Sequence, residues 1–225
     1  MQTGKGQVVE LILQDGLRHA RLNCPENLVP APGQYLLVGH DPSDPLPVPI
    51  FSTDSVPNGF IVAPPIPESW SPGRVVNLRG PLGKGFSLPS SAKRVALVAI
   101  DISPSRLSGL IRPALLQEAS VVVVSDLSVL SLPDEVEIQP LSALNEVAKW
   151  ADYIACDVAR EGISPLRDRL IGEKPSKVSF RAQVLVRTPI PCGGLAECGV
   201  CAVTSRSGWG MACKDGPVFD WTELI

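Results

Sequence analysis

The sequence predicts an all-β unit joined to an α/β unit: an N-terminal antiparallel β-barrel, a central open α/β layer on a parallel sheet, and a C-terminal cysteine-rich module. Three observations predict it. Short apolar stretches of period two, punctuated by Pro and Gly, fill the first 90 residues, as half-buried strands do. Continuous apolar runs at residues 94–100 and 121–124 then flank a stretch of helical spacing, the pattern of strands buried on both faces of a parallel sheet. Finally, four of the six cysteines fall in the last 34 residues. The expected division is 1–90, 91–176 and 177–225.

Taken in order, residues 6–22 alternate around Val8, Val9, Leu11, Leu13 and Leu17, with Asp15-Gly16 as a hairpin turn. Pro32-Gly33-Gln34 leads into a strand at 35–38, and a proline-rich loop at 41–47 precedes another at 48–52. Strands follow at 60–62 and 74–78, and the barrel ends on Gly80-Pro-Leu-Gly83-Lys84-Gly-Phe86. The 23 prolines concentrate between Pro25 and Pro81, which suits turns and strand edges and forbids long helices there. In the α/β layer, Leu107, Leu110, Ile111, Leu115 and Leu116 space a helix that starts at Ser103-Pro104. Strands are expected at 136–138 and 153–155, helices at 142–150 and 165–170, and a last strand at 177–187 leads into the cysteines.

Composition excludes several classes. Hydrophobic content of 44% and charged content of 19% describe a soluble globular chain. A formal charge of −3 and a pI near 5.4 lack the basic stripe of a nucleic-acid surface. No apolar run approaches the roughly 18 residues of a membrane span. The opening Met-Gln-Thr-Gly-Lys-Gly has no apolar signal region, so the expected compartment is the cytoplasm. His19 and His40 lack ligand-like spacing, and no Ser/His/Asp set or carboxylate pair suggests hydrolysis. Asp101 is expected to cap or precede the helix at Pro104, Lys84 to be solvated, and Cys24 and Cys156 to be buried small hydrophobes.

The chemistry lies in Cys192-Gly-Gly-Leu-Ala-Glu-Cys198-Gly-Val-Cys201 with Cys213, a C-x5-C-x2-C-x11-C spacing. Glycines around four thiolates let the backbone come close and aim N–H groups at the sulfurs, which spreads the charge of a bound inorganic centre. The plant-type [2Fe-2S] loop is C-x4-C-x2-C with a distant fourth cysteine, one residue shorter in its first gap. A [2Fe-2S] cluster on Cys192, Cys198, Cys201 and Cys213 is the first reading. Structural zinc competes, but usually shows two separate C-x2-C-like knuckles. Disulfides need an oxidising compartment.

Barrel, α/β layer and cysteine loop, in that order, resemble the electron transfer subunit of B-type dihydroorotate dehydrogenase, within the ferredoxin-reductase superfamily. The most specific points are Ala31-Pro32-Gly33-Gln34-Tyr35, the stretch from Gly80 to Phe86, and Cys213-Lys-Asp-Gly216-Pro217-Val218-Phe219. The resemblance implies a barrel that binds FAD, an α/β domain that receives NADH, and a [2Fe-2S] cluster that passes electrons to an FMN-bearing catalytic subunit in pyrimidine biosynthesis. It also implies a hetero-oligomer, with Ser52, Gly80 and Gly83 as the flavin contacts if FAD is bound. The chain departs from this pattern in its phosphate donors. Pro49-Ile50-Phe51-Ser52 lacks the family's arginine, and Ala63-Pro64-Pro65-Ile66-Pro67-Glu68 replaces a Gly-Thr or Gly-Ser pair. Ala99-Ile100-Asp101-Ile102-Ser103-Pro104-Ser105 holds no glycine for a pyrophosphate turn, and Cys156-Asp157-Val158 stands where a Cys-Gly-Pro turn is common. FAD is thus left open and NAD is not expected. The α/β layer reads as a scaffold that has lost its dinucleotide site.

Three functions remain on sequence. The first is an iron–sulfur electron transfer subunit that serves a flavin-containing partner. The second is a zinc-holding scaffold, and the third an NADH-dependent flavin reductase. Val218, Phe219, Trp221 and Leu224 either pack beneath the cysteine loop or form a contact patch.

Overall fold

The computed structural model of the chain describes residues 2–39, 46–127, 132–171 and 180–224. His40 and most of the proline-rich loop expected at 41–47 lie outside the described residues, as do residues 177–179 of the last expected strand.

Strands Gln2–Gln14 (β1), Leu17–Asn23 (β2), Tyr35–Gly39 (β3), Val48–Val56 (β4), Gly59–Val62 (β5) and Val75–Leu82 (β6) close into an antiparallel barrel. Its order is β1-β2-β5-β4-β3-β6. The β1–β2 turn is the expected Asp15-Gly16 pair, with φ 52° and 74°, the two left-handed residues that match the twist of a tight hairpin. β1 serves two neighbours: its first half pairs with β6, and its second half pairs with β2 beyond a register shift at Val8/Glu10. That bend lets six strands close. Leu22, Leu36, Val38, Ile50, Phe60 and Trp70 fill the interior.

The α/β layer begins with Arg94–Ala99 (β7), followed by helix Ile111–Leu116 (α1), Ser120–Val124 (β8), Val136–Gln139 (β9), helix Leu144–Trp150 (α2), Tyr153–Ala159 (β10), helix Ile163–Ile171 (α3) and Arg181–Arg187 (β11). After the cysteine loop come the hairpin Ala202–Ser205 (β12) and Gly208–Met211 (β13), then Val218–Asp220 (β14) and a last turn of helix, Trp221–Leu224 (α4). The central sheet runs β14-β11-β10-β7-β8-β9, parallel except for β14.

Two expectations change. The single helix expected after Ser103-Pro104 is two 3-10 turns and then α1, because Pro113 and the crowded Ser-Gly stretch allow only a short regular helix. Asp101 precedes this segment, as expected, without capping it. It sits exposed at φ 57° in the turn, and Ser103 Oγ accepts the Ser105 N–H instead. Strand β11, grouped on sequence with the cysteine module, pairs along its length with β10, and β14 then pairs with β11. Val218, Phe219 and Trp221 are accordingly buried and pack under the loop, while Leu224 is half-buried against the same core.

Barrel and sheet are locked together by a buried carboxylate. Asp157, fully enclosed in β10, meets Arg106 Nη1 at 3.4 Å and Arg187 Nε at 2.9 Å. The second contact is a close ion pair, since its N–H does not point at the oxygen. Arg106 also donates to the Pro64 carbonyl of the barrel at 3.4 Å and lies 5.1 Å above the Phe51 ring, while Arg187 donates to the Ile100 carbonyl at 2.7 Å. Burial pushes the Asp157 carboxyl above its ordinary value, and the two guanidiniums, Arg106 first, pull against that push. Removing one partner of a buried pair leaves charge uncompensated. Asp157→Ala is expected to destabilise the chain by about 3–5 kcal/mol, read as a lowered urea midpoint at unchanged slope.

Candidate metal centre

The cysteine loop leaves β11 through Ile190 and Pro191 and curls tightly. Gly193, Gly194, Ala196 and Gly199 all adopt positive φ, between 61° and 77°. Such a curl turns successive N–H groups toward one side. Here they face the thiols: the N–H groups of Leu195, Glu197 and Ala196 point at Cys192, and that of Ala196 also serves Cys213. The four thiols gather in two pairs. Cys198 is the thiol that acts most strongly on Cys192, and Cys201 the one that acts most strongly on Cys213, with a weaker influence of Cys192 on Cys213. Among the described residues, no three Cys, His, Asp or Glu side chains converge as one metal ion would require.

The pairs differ in environment. Cys198 is exposed and Cys192 half-buried, whereas Cys201 and Cys213 are buried. Against the cost of desolvation, the Cys198 thiol and the loop N–H groups bring Cys192 down to about 6. Desolvation, followed by the neighbouring Cys201, pushes Cys213 up to about 12. A cationic inorganic centre answers both conditions, because it supplies positive charge to buried thiolates while the N–H groups absorb the remaining negative charge. The residues present therefore fit an iron–sulfur group.

The seat of the loop is built from the three stretches that carry the family resemblance. Tyr35 of β3 is buried, and its hydroxyl donates to the Cys213 carbonyl at 2.8 Å. Gly83 has φ 73°, and a Cβ there would fall 2.6 Å from the Gly216 carbonyl and from Pro217. Gln34 Nε2 donates to the Gly83 carbonyl at 3.3 Å, and the Phe86 N–H to the Pro32 carbonyl at 2.8 Å. On the other side, Asp215 accepts the Met211 N–H at 2.8 Å and closes the turn that carries Cys213. Arg160 donates to the Val200 and Ala202 carbonyls at 2.9 and 3.1 Å.

Of the three expected flavin contacts, Gly83 belongs to this seat. Ser52 is buried, and its Oγ donates to the Asp54 carbonyl at 3.3 Å. A Cβ on Gly80 would meet Leu36 at 2.7 Å and the Tyr35 carbonyl at 3.1 Å, so Gly80 and Gly83 are both enclosed by protein. The face of Phe51 beside Ser52 carries the Arg106 guanidinium. These residues do not fit a flavin ring or its phosphates. Cys156 is fully buried in β10, and Cys24 packs against the barrel core. The Lys84 side chain is exposed. His19 is buried and lines a separate cleft with Thr53, Ser103 and Arg112; burial lowers its pKa, opposed by the Val62 backbone.

Residues 192–225 match the iron–sulfur cluster binding domain of dihydroorotate dehydrogenase B. Over its whole length the chain also shares its fold with the NADH-dependent reduced ferredoxin-NADP oxidoreductase studied for flavin-based electron bifurcation. That likeness has a TM-score of 0.74 at 14% identity and covers 98% of this chain and 89% of that one. The Amycolatopsis cytochrome P450 reductase GcoB follows at TM-score 0.61 and 12% identity, covering 82% and 71%. The ferredoxin reductase of carbazole 1,9a-dioxygenase gives 0.62 at 16% identity, covering 80% and 68%. At these identities the likeness is one of fold. A C-terminal segment similar to an iron–sulfur cluster binding domain, on a fold shared with these structures, supports the resemblance to the electron transfer subunit drawn from the sequence. No helix among the described residues is long and apolar enough to cross a membrane.

Residues that sequence reasoning missed are Arg106 and Arg187. Their signal was Asp157 itself, a carboxylate inside an apolar strand, which burial obliges to find cations. For the iron–sulfur domain, the seat is the testable feature. Tyr35→Phe leaves the buried Cys213 carbonyl without its donor and is expected to cost about 1–3 kcal/mol in urea unfolding. Gly83→Ala is expected to cost more, because both its φ and its Cβ conflict with fixed backbone.

Proposed function

We propose that this chain is a [2Fe-2S] electron transfer subunit that relays electrons to or from a flavin-containing catalytic partner resembling dihydroorotate dehydrogenase. Cys192 and Cys198 would hold one iron, and Cys201 and Cys213 the other. The observation that carries this reading is the pairing of the four thiols beneath a curl of backbone N–H groups. A single zinc ion calls for four thiolates around one point, and among the described residues no three of these thiols converge so, whereas a paired arrangement suits two irons. When bound, such a centre carries one electron at a time. The chain's own part is to hold that centre: Tyr35 and Asp215 fix the turn of Cys213, Arg160 fixes the start of β12, and the barrel wall excludes water from the inner pair.

The flavin belongs to the partner in this reading. The barrel offers no arginine beside Ser52, Arg106 covers Phe51, and the Arg106–Asp157–Arg187 group fills the crevice at the ends of β7, β10 and β11 where a dinucleotide would enter. Charge-assisted hydrogen bonds to phosphate are worth roughly 1.5–3 kcal/mol each, so the loss of two or three weakens binding by a few orders of magnitude. The domain roles proposed are thus a barrel that seats the cluster, an α/β layer that acts as scaffold, and a cysteine module that conducts.

Anaerobic purification is expected to yield a brown protein with equal iron and labile sulfide, an absorbance that bleaches with dithionite, and a reduced EPR signal. Stoichiometric zinc without iron would overturn the reading. Cys198→Ser and Cys201→Ser are each expected to lose most of the iron, since these two share the tight two-residue gap. NADH is expected neither to bleach the isolated chain nor to bind it in calorimetry. Recovery of the chain from its host with no flavoprotein attached at low salt would count against the partner.

A further inference from the structure

We propose that Arg79 sets the reduction potential of the iron–sulfur centre, holding it above the value that the four thiolates alone would give. The inference rests on the cluster reading above and adds a residue of the barrel to it.

Arg79 lies near the end of β6, paired in register with Thr3 on one side and Leu37 on the other. Its side chain reaches out of the barrel onto the cysteine loop. A Cβ built on Gly193, the residue after Cys192, would stand 2.9 Å from Arg79 Nη2. Gly193 thus leaves room for a guanidinium against the loop. The groove they share has a volume of about 710 Å³, and Cys192 lines it together with Lys5, Asn77 and Arg79. No carboxylate lines that groove among the described residues. Every other arginine that touches the core of the site is engaged: Arg106 and Arg187 with Asp157, and Arg160 with Glu161 and the loop carbonyls. The Arg79 side chain has no carboxylate partner among the described residues. The field reaches inward as well, for it opposes the upward push that burial gives the Tyr35 phenol.

The physical consequence follows from the bookkeeping of one electron. Reduction of a two-iron centre adds one negative charge and, with thiolate ligands, needs no proton. A fixed cation beside the outer pair of thiolates stabilises the reduced state more than the oxidised one, and the partly buried setting limits screening. Removing it favours the oxidised state. Lys5 lines the same groove but is exposed, so its charge is better screened.

The test is an EPR-monitored dithionite titration of full-length chain reconstituted with iron and sulfide. Arg79→Gln is expected to fall about tenfold in reduced-to-oxidised ratio at fixed poise, a shift of ~59 mV to lower potential for one electron. Arg79→Lys is expected to recover most of that shift. Arg18→Gln, an exposed charge on the β1–β2 hairpin, is the control and should leave the midpoint in place. Rising ionic strength should narrow the gap between Arg79→Gln and the parent. Iron and sulfide content, measured on every variant, separates the two claims. If Arg79→Gln holds full iron at an unchanged midpoint, Arg79 has no such role and the cluster reading stands. A parent chain that takes up no iron overturns both.

Discussion

The hydrogen bond from the Tyr35 hydroxyl to the Cys213 carbonyl joins two parts of the chain that are 178 residues apart, and the rest of the site is arranged around it. It is buried, so neither partner has water to fall back on. Around it, the Pro-Gly-Gln-Tyr turn, the glycine-rich end of β6 and the Gly216-Pro217 turn fill each other's spaces. Gly33 is enclosed by Val218 and Phe86, and Gly83 by Gly216 and Pro217. Three motifs that look like separate features along the sequence are one interface. The cysteine loop is therefore a wedge between barrel and sheet. Its two inner thiols lie at the level where both cores meet, and Tyr35, Cys201, Cys213 and Phe219 belong to one hydrophobic cluster with the sheet.

This arrangement explains why an α/β layer persists without a dinucleotide turn. Strands β10 and β11 carry the edge on which β14 lies, and β14 holds the last cysteine turn in place. Loss of the sheet would free the cluster. An Asp at position 157 of a buried strand requires cations, and Arg106 and Arg187 supply them from both sides, one reaching across to the barrel. A pyrophosphate at the same strand ends would compete with Asp157 for those guanidiniums, inside a space already filled by protein.

Much of this was legible in the residues. Period-two alternation and the Asp15-Gly16 turn located the barrel hairpin, and the continuous apolar runs located β7 and β8, because burial on one face or on two leaves different patterns. The cysteine spacing marked the stretch that matches the iron–sulfur cluster binding domain. What spacing could not convey was the division of the thiols into pairs, which depends on the left-handed curl through Gly193, Gly194, Ala196 and Gly199. Nor could it place β11 and β14 in the sheet, since strand partners 28 or more residues apart are chosen by packing. The extent of the helix after Pro104 was misjudged for a related reason. Leucine spacing reports a buried stripe, and a stripe can be met by 3-10 turns that present Leu107 and Leu110 to the same core.

The unequal burial of the two thiol pairs gives the site a direction. Cys201 and Cys213 face the joint core, where protein surrounds them and no partner can approach. Cys192 and Cys198 lie on the outer turn, where Leu195, Glu197, Cys198, Gly199 and Val200 form a continuous exposed segment. Electron exchange falls steeply with distance, so any redox partner gains most by resting on this segment. Two of its side chains, Leu195 and Val200, are large apolar groups exposed to 56% and 43%, which favour a contact that excludes water. Arg160 binds the Val200 carbonyl from behind, so the exposed face is held in place rather than left to fold on contact. The inner pair is then fixed by the fold, and the outer pair is presented by it.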